Sequence, residues 1–290
     1  MKNKLFVYAV AAAFLSLSPA LKAQDATAAK PAGDTNSVSP LHAQLQAVVM
    51  NVQAKIKQDK TTEADLSDEI KSLDKLIADQ NGAKTDDAAL LQFMKAQLYL
   101  EVIKDDDKGI AIIKQIKADY PDTKYGKNAD KILEGVAKQA AAKKIQDGLA
   151  VGTTFPDFSE SDTSGKPISV GALKGKVVMV DFWATWCPPC RAELPNVIAT
   201  YKKHHDQGFE IIGISLDQDR DKLDLFLKQQ DGMTWPQYFD GLGWGNKVAA
   251  KYGVEAIPFA LLIGPDGKII GKELRGEELE AAVAKAVAAK

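Results

Sequence analysis

The sequence predicts two folded parts of different class, an all-α helical domain over residues 41–146 followed by an α/β domain over residues 148–290. In the first part, apolar residues recur at spacings of three and four, which is the period of an amphipathic helix. In the second part, short apolar runs alternate with helical patterns, which is typical of a sheet flanked by helices. The 290-residue chain is long enough for two such domains.

The first 23 residues predict a cleavable signal peptide. Lys2 and Lys4 precede an apolar run from Leu5 to Leu17, and small residues follow it up to Ala23. The run is about a dozen residues long, whereas a bilayer span needs roughly 20. An uncleaved leader that anchors the chain is the alternative. We therefore expect an exported, periplasmic protein that is soluble after cleavage, in a compartment where disulfides persist.

Composition and charge narrow the classes of partner. Residues 24–40 are small and polar, which predicts a flexible linker to the first domain. Without the leader the chain carries a net charge of about −5, and its basic residues form no stripe along the sequence. We therefore expect no nucleic-acid partner.

The helical domain is predicted to contain five helices, with boundaries marked by local signals. Thr62 and Asp65 resemble a capping box, Asn81-Gly82 is a helix stop, and Pro121 ends the preceding helix. The predicted helices lie near 41–59, 63–80, 86–104, 107–120 and 124–144.

A stretch in this domain, AQLYLEVIKDDDKGIAIIKQIKADYPDTKYGKNADKIL, resembles a tetratricopeptide hairpin, although three clean repeats of one period are absent. Two interpretations stay open at this point. The domain is either a plain bundle that spaces or dimerises the second domain, or a solenoid that binds a partner.

The α/β domain is predicted to begin with a hairpin of Phe155–Ser159 and Pro167–Val170 around the turn TSGK. A continuous apolar run from Lys176 to Trp183 predicts a strand buried on both faces. The remaining predicted elements are a helix from Cys187 to His205, a strand at 209–216, helices at 220–230 and 246–252, strands at 259–263 and 268–271, and a terminal helix from Glu277.

The only two cysteines lie in the segment DFWATWCPPCRAELP, at Cys187 and Cys190. A disulfide between them would close a very short loop and so would stabilise the fold little, because this stabilisation grows with loop length. The segment joins a buried strand to a helix, so the Cys187 sulfur should face free backbone N–H groups and the positive end of the helix dipole. That position favours thiolate, the nucleophilic form of cysteine.

The two prolines between the cysteines shape this helix start. Pro188 fits the first helical position, where a missing N–H costs little, and Pro189 removes a second donor. We therefore expect the Cys187 sulfur to depend on the N–H of Cys190.

The motif VDFWATWCPPC, Pro195 and the late dipeptide Ile257-Pro258 together resemble the thioredoxin fold. The wider pattern, from GTTFPDFSESDTSGKPISV to KYGVEAIPFALLIGPDGKII, resembles the TlpA/ResA branch of exported thiol-disulfide oxidoreductases and covers about 140 residues. The resemblance implies a mixed central sheet flanked by helices. It also implies dithiol/disulfide exchange on protein disulfides, with no cofactor and no metal.

The resemblance assigns roles to individual residues. Cys187 resembles the exposed nucleophile and Cys190 the resolving thiol. Asp181 resembles the buried carboxylate beneath the pair, with a raised pKa that lets it move the proton of the resolving thiol. Glu193 resembles a glutamate that modulates the thiols. For the two acids, a structural cap or hydrogen-bonding role is the alternative.

Three further residues are implied to contact substrate. Pro258 is expected to be cis, because the resemblance places its backbone, with that of Ile257, beside the cysteines where a substrate strand pairs. Trp186 is expected to cover the surface around the active site, whereas Trp183 is expected in the core. Trp235 and Trp244 could line a groove or simply pack.

Two departures from the thioredoxin pattern stand out. The lysine that thioredoxin places near the buried acid has no counterpart in the neighbouring strand, which reads IIGIS over 211–215. Phe259 and Ala260 replace a threonine-rich run after the proline, a change that bears on substrate choice.

Competing functions are a peroxiredoxin, a copper carrier and a binding module on a thioredoxin scaffold. A peroxiredoxin would have threonine where this chain has Ala184. A copper carrier built on two such cysteines often uses histidine as a further ligand. Here His204 and His205 lie roughly 20 Å along the helix from the cysteines and are expected at a solvated helix end. Thiolates remain good ligands for soft metals, so metal delivery stays an alternative.

The direction of electron flow is open between reductase and oxidase, because potentials of thioredoxin-like pairs span about 150 mV, or about 7 kcal/mol. The resemblance favours a reductase of envelope-protein disulfides, kept reduced by a membrane electron donor. The helical domain is expected to bind a partner or a second copy of the chain.

Overall fold

The computed structural model describes residues 39–289, so the predicted signal peptide and most of the predicted linker lie outside the described residues. The chain divides into two compact units, one ending at Val136 and the other beginning at Ala137. Within residues 39–289, no helix is long and apolar enough to span a membrane.

The first unit is helical, and its helices are joined by short turns. They are α1 (Pro40–Ile56), α2 (Ser67–Ala78), α3 (Asp86–Gln97), α4 (Asp106–Asp119) and α5 (Lys124–Gly148), the last of which continues into the second unit. The predicted helix 86–104 is in fact α3 followed by a π-helical segment, Leu98–Ile103, which ends at Lys104 in the left-handed conformation.

Thr62 and Asp65 form a reciprocal capping box, because Asp65 Oδ2 accepts from Thr62 N at 3.1 Å and Thr62 Oγ1 accepts from Asp65 N at 3.2 Å. The box closes a turn, and α2 begins four residues later than predicted, at Ser67, with Leu66 as its N-cap. Asn81 has a positive φ just past α2, and Tyr120, which precedes Pro121, caps α4.

Helix α3 is buried on two faces and therefore holds the unit together. Leu91 and Met94 belong to one apolar cluster, shared with α1 and α2, whereas Ala89 and Ala96 belong to a second, shared with α4 and α5. A helix that is apolar around its circumference is stable only when neighbours cover it, so α3 is the central helix of this unit.

The second unit contains a mixed five-stranded sheet of order β5-β4-β3-β6-β7, preceded by a two-stranded hairpin. Strand β3 pairs in parallel with β4 and antiparallel with β6, which confirms the mixed sheet. The strands are β1 (Glu160–Ser161), β2 (Pro167–Ile168), β3 (Val177–Trp183), β4 (Phe209–Ser215), β5 (Gln237–Phe239), β6 (Phe259–Ile263) and β7 (Ile269–Lys272).

The predicted hairpin forms, but its first strand lies five residues later than expected. Glu160 pairs with Ile168, whereas Phe155 and Phe158 are buried in the core instead. Burial of the two phenylalanines outweighs their strand propensity, so the ladder begins only at the polar residues next to the turn.

Helices cover both faces of the sheet, and every residue of β3 is buried. The helices are α6 (Pro188–His204), α7 (Arg220–Gln229), α8 (Lys247–Lys251) and α9 (Gly276–Ala288). Because strand residues alternate between faces, Phe182 packs against Tyr252 on one side while Asp181 and Trp183 point to the other. The central strand therefore delivers a carboxyl group to the face covered by α6.

The C-terminal end of α6 differs from the prediction of a solvated histidine pair. His204 is 3% exposed, and its Nε2 lies 3.1 Å from Glu280 Oε1 of α9. His205 stacks on Tyr201, with ring centroids 4.6 Å apart. The prediction was wrong for His204, which the packing of α9 against α6 buries, whereas His205 is exposed at the helix end as expected.

Candidate active site

The two cysteines lie where β3 gives way to α6 and form a disulfide. The Cys187–Cys190 S–S distance is 2.07 Å and the Cα–Cα distance is 5.3 Å, within the ordinary range for disulfides. Cys187 is the N-cap of α6 and Cys190 is its third residue. One helical turn therefore brings both sulfurs together without any long-range rearrangement.

The start of α6 offers a backbone donor to the first sulfur. Cys190 N lies 3.2 Å from Cys187 Sγ. Pro188 and Pro189 have no N–H, so Cys190 supplies the first free amide of the helix. The amide expected to face the Cys187 sulfur is therefore in place, and such a donor favours negative charge on a sulfur.

Both cysteines are largely covered in the disulfide state. Cys187 is 3% exposed and Cys190 6% exposed, so Cys187 lacks the exposure expected of it. A small cavity of about 20 Å³ reaches Cys190 and the residues behind it.

Asp181 lines the same cavity from the floor formed by β3. It is 8% exposed, and no donor of the described residues lies within hydrogen-bonding distance of its carboxyl group. Burial raises the pKa of Asp181 to about 7, an effect that the negative charge of Glu193 strengthens and the positive charge of Arg275 opposes. The group can therefore accept or release a proton near neutral pH.

The strand beside Asp181 supplies no positive charge, in agreement with the departure seen in the sequence. The residue opposite Asp181 in β4 is Gly213, and a side chain there would collide with Gln237. Gln237 instead fills this place and accepts a hydrogen bond from Trp183 Nε1 at 2.9 Å. The charge that faces Asp181 comes from Arg275, between β7 and α9.

Glu193 lies one turn along α6 from Cys190 and lines the cavity. Its Oε1 accepts from Gly276 N at 2.6 Å, and its Oε2 accepts from Asn196 Nδ2 at 3.2 Å. Gly276 is the first residue of α9, so Glu193 caps that helix from outside. The carboxyl group is both a cap and a charge next to Asp181.

The peptide bond between Ile257 and Pro258 is cis, as the resemblance predicted. Pro258 lines the cavity together with Cys190 and is partly exposed, as is Ile257. The Pro258 carbonyl accepts a hydrogen bond from Arg275 Nη2 at 2.7 Å. The cavity therefore joins the second cysteine, both acids and the proline segment.

Two tryptophans form an exposed apolar surface next to the cysteines. Trp186 is 50% exposed and Trp244 49% exposed, and their ring centroids are 6.0 Å apart. Trp183 and Trp235 are each 3% exposed and belong to the core. The prediction for Trp183 is confirmed, and of the two tryptophans left undecided only Trp244 reaches the surface.

The turn that carries Trp186 is fixed by a buried carboxylate that the sequence did not reveal. Asp217 is 2% exposed and accepts from Thr185 Oγ1 at 2.6 Å, from Thr185 N at 3.1 Å and from Ser215 Oγ at 2.8 Å. Asn246 donates to the Ser215 carbonyl at 3.2 Å. This polar network holds the segment that leads into Cys187.

Metal-binding side chains do not gather at this site. Across residues 39–289, no group of three or more histidine, cysteine, aspartate or glutamate side chains is arranged to hold a metal ion. The arrangement joins a disulfide between neighbouring cysteines, an amide donor and an acid with a pKa near 7. Such a combination suits thiol-disulfide exchange coupled to proton transfer.

Comparison with known proteins places the second half of the chain among redox proteins. Residues 150–289 match the Redoxin family. Thiol-disulfide oxidoreductase ResA of Bacillus thuringiensis subsp. konkukian (strain 97-27) is 35% identical over 133 residues, which cover 46% of this chain and 74% of the relative. ResA of Bacillus subtilis (strain 168) is 34% identical over 125 residues, covering 43% of this chain and 68% of the relative.

A solved structure is also similar. The thioredoxin domain of a thiol-disulfide oxidoreductase from Bacteroides vulgatus is 35% identical, with a TM-score of 0.44, and the match covers 48% of this chain and 99% of that domain.

Proposed function

We propose, from the premise that this chain belongs to the ResA family of thiol-disulfide oxidoreductases, that it reduces disulfides in proteins of the cell envelope by exchange at Cys187 and Cys190. The observation that carries the proposal is the cavity that joins Cys190 to Asp181, a carboxyl group whose pKa is raised to about 7. A purely structural disulfide needs no such proton carrier.

The first step is attack of the Cys187 thiolate on a substrate disulfide. A bond forms between Cys187 Sγ and one substrate sulfur, while the substrate S–S bond breaks and its other sulfur leaves as a thiolate. The amide of Cys190, 3.2 Å from Cys187 Sγ in the disulfide form, supports the attacking thiolate.

The second step releases the substrate. Cys190 loses its proton to Asp181 and attacks Cys187 Sγ, so that the mixed disulfide breaks and the second substrate sulfur leaves. The substrate gains two electrons and the enzyme ends as the Cys187–Cys190 disulfide. A dithiol of a membrane electron donor then supplies two electrons to open that bond again. Glu193 adds negative charge beside Asp181 and raises the pKa of that carboxyl group, so ionised Asp181 binds the proton of Cys190 more firmly.

The substrate contacts assigned to Trp186, Ile257 and Pro258 are part of the proposal. Trp186 precedes the nucleophile and pairs with Trp244, so a disulfide that reaches Cys187 passes this apolar surface. Ile257 and Pro258 are partly exposed, and Pro258 lines the cavity next to Cys190. Large aromatic side chains give much contact area, which supports binding of an unfolded or extended segment around the substrate cystine.

A trapping experiment tests the order of attack. In Cys190→Ser, the mixed disulfide between Cys187 and a protein substrate should accumulate, because the resolving thiol is missing. Cys187→Ser should form no such adduct. Mass spectrometry of the reaction with insulin identifies the species. An adduct on Cys190 in the Cys187→Ser protein, at the rate of wild type, would contradict the assignment.

A redox equilibrium with glutathione tests the direction. A reductase should have a potential near the thioredoxin end of the range, about −270 mV, and the pair should be reduced in living cells. A potential near −120 mV, or a pair found oxidised in cells, would instead assign the chain to thiol oxidation.

Export and assembly complete the proposal. We expect cleavage after Ala23, so that the mature periplasmic protein begins at Gln24, which N-terminal mass spectrometry of the purified protein can check. Residues 41–146 precede the Redoxin match and are proposed to bind a partner or a second copy. Sedimentation of the full mature chain distinguishes a monomer from a dimer.

A further inference from the structure

Arg275 has an unusual position for a basic residue. It is the N-cap of α9, where its own side chain caps nothing, and a positive charge is unfavourable at this end of a helix dipole. The first amide of α9 is instead bound by Glu193, through Gly276 N at 2.6 Å. Stabilisation of α9 therefore does not explain an arginine at this position.

The arginine side chain turns into the cavity beneath the cysteines. Its Nη2 donates to the Pro258 carbonyl at 2.7 Å, which fixes the guanidinium next to the proline segment. The charged and titratable groups that line this cavity are Asp181 from β3, Cys190 and Glu193 from α6, and Glu273 and Arg275 from the segment between β7 and α9. Among the described lining residues Arg275 is the single cation.

We propose that Arg275 is a positioning residue of the exchange reaction: it is anchored on the Pro258 carbonyl and sets the pH range in which Asp181 can take the proton of Cys190. The proposal rests on the proposed function for its meaning, since it concerns the proton carrier of that reaction. It also accounts for the missing cation of β4, because Gly213 and Gln237 leave no room for a charged side chain there.

The physical argument is one of charge balance. Opening the disulfide creates thiolate next to a cavity that already holds three carboxyl groups, and in a poorly solvated place like charges oppose ionisation. Arg275 opposes the effect of burial on the pKa of Asp181, so its removal should move the titration of Asp181 upward from about 7. An acid with a higher pKa is less ionised near neutral pH, so a smaller fraction of the protein has a carboxylate that can accept the proton of Cys190. Exchange near neutral pH should therefore slow.

Direct titration of Asp181 in the oxidised, full mature protein is the first test. The carbon-13 signal of its carboxyl group reports the midpoint. In Arg275→Met the midpoint should rise by about 0.5 to 1 pH unit, because a nearby cation is lost. Arg275→Lys keeps the charge and should move the midpoint by less than half of that amount.

Arg220 provides the matched control. Its Nη2 also donates to a backbone carbonyl, that of Thr163 at 2.8 Å, but it does not line the cavity. Arg220→Met should leave the midpoint of Asp181 unchanged. If Arg275→Met fails to fold, Arg275→Gln, which keeps a donor and removes the charge, should give the same upward shift.

The pH dependence of kcat/KM with a protein disulfide is the second test. The profile of Arg275→Met should shift upward by the amount seen in the titration, and the shift should vanish when Asp181→Asn is added. A folded Arg275→Met and Arg275→Gln with an unchanged Asp181 midpoint would overturn the inference. A wild-type protein without exchange activity would instead overturn the proposed function, while the titration would still decide the role of Arg275.

Discussion

Two buried aspartates flank the active-site turn, and they differ in the hydrogen bonds that their carboxyl groups accept. Asp217, after β4, accepts hydrogen bonds from Thr185 and Ser215. Asp181, on β3, faces a cavity and has no hydrogen-bond donor within reach among residues 39–289. Hydrogen bonds fix the first carboxyl group in one geometry, whereas burial alone leaves the second ready to exchange a proton.

Burial by itself does not identify a chemically active acid. Asp181 is 8% exposed and Asp217 2% exposed, so the less deeply buried of the two carries the proposed chemistry. The useful distinction is what the carboxyl oxygens contact. Asp217 holds the turn before Cys187, and Asp181 has room for the proton that leaves Cys190.

The largest expected effect is on the free energy of unfolding. Replacement by asparagine should raise it at Asp181 and lower it at Asp217. The folded-state pKa of Asp181 is about 7, above the unfolded value near 4. Its contribution to stability is therefore full below pH 4 and is lost as the pH rises towards 7. Asp181→Asn removes that loss and should raise the free energy of unfolding of the oxidised protein by up to about 4 kcal/mol at pH 8.

Urea unfolding of the oxidised protein at pH 5 and pH 8 measures this effect. The gain from Asp181→Asn should be clearly larger at pH 8 than at pH 5, because most of the unfavourable ionisation occurs between these values. An equal gain at both pH values would mean that Asp181 does not change its protonation on folding.

The next effect is on catalysis. Asp181→Asn keeps the shape of the side chain but cannot accept the proton of Cys190, so the rate of the resolving step should fall about 100-fold, within the range of general acid-base catalysis. Rapid-quench kinetics of mixed-disulfide decay measures that step. A rate within twofold of wild type would remove Asp181 from the mechanism.

Asp217→Asn is the matched structural variant. An asparagine accepts with one oxygen only, so part of the bonding to Thr185 and Ser215 is lost, and stability should fall by about 1–3 kcal/mol. Thermal unfolding measures the loss. The titration of Asp181 should stay near pH 7 in this variant, and a displaced titration would show that the two carboxyl groups act as one network.

The sequence could predict most of the fold because its periodicities are local properties of the chain. The apolar run at 177–183, the helix that begins beside Cys187 and the helix stops at Asn81 and Tyr120 all depend on neighbours a few residues away. The hairpin was misplaced because Phe155 is held by the core, a long-range contact that local pattern does not contain.

The candidate site was predictable only in part, for the same reason. The cysteine pair and cis Pro258 follow from a short motif and its resemblance. Arg275, Asp217 and Trp244 were missed or left undecided because each reaches the site from a distant part of the chain. A basic residue before a helix start was the one available signal for Arg275, since such a charge opposes the helix dipole.

The smallest expected effect concerns the exposed surface above the fixed turn. Trp244→Ala removes one of two adjacent, half-exposed rings, so KM for a protein disulfide should rise about threefold to tenfold, in line with the worth of an exposed aromatic pair. Oxidised glutathione, which is too small to span the surface, should react at the wild-type rate. Leu242→Ala is the control, since this exposed leucine lies two residues before Trp244 and is not part of the tryptophan pair. Steady-state kinetics with both substrates decide the matter, and an equal loss with glutathione would mean that Trp244 supports the geometry of the turn and not the binding of substrate.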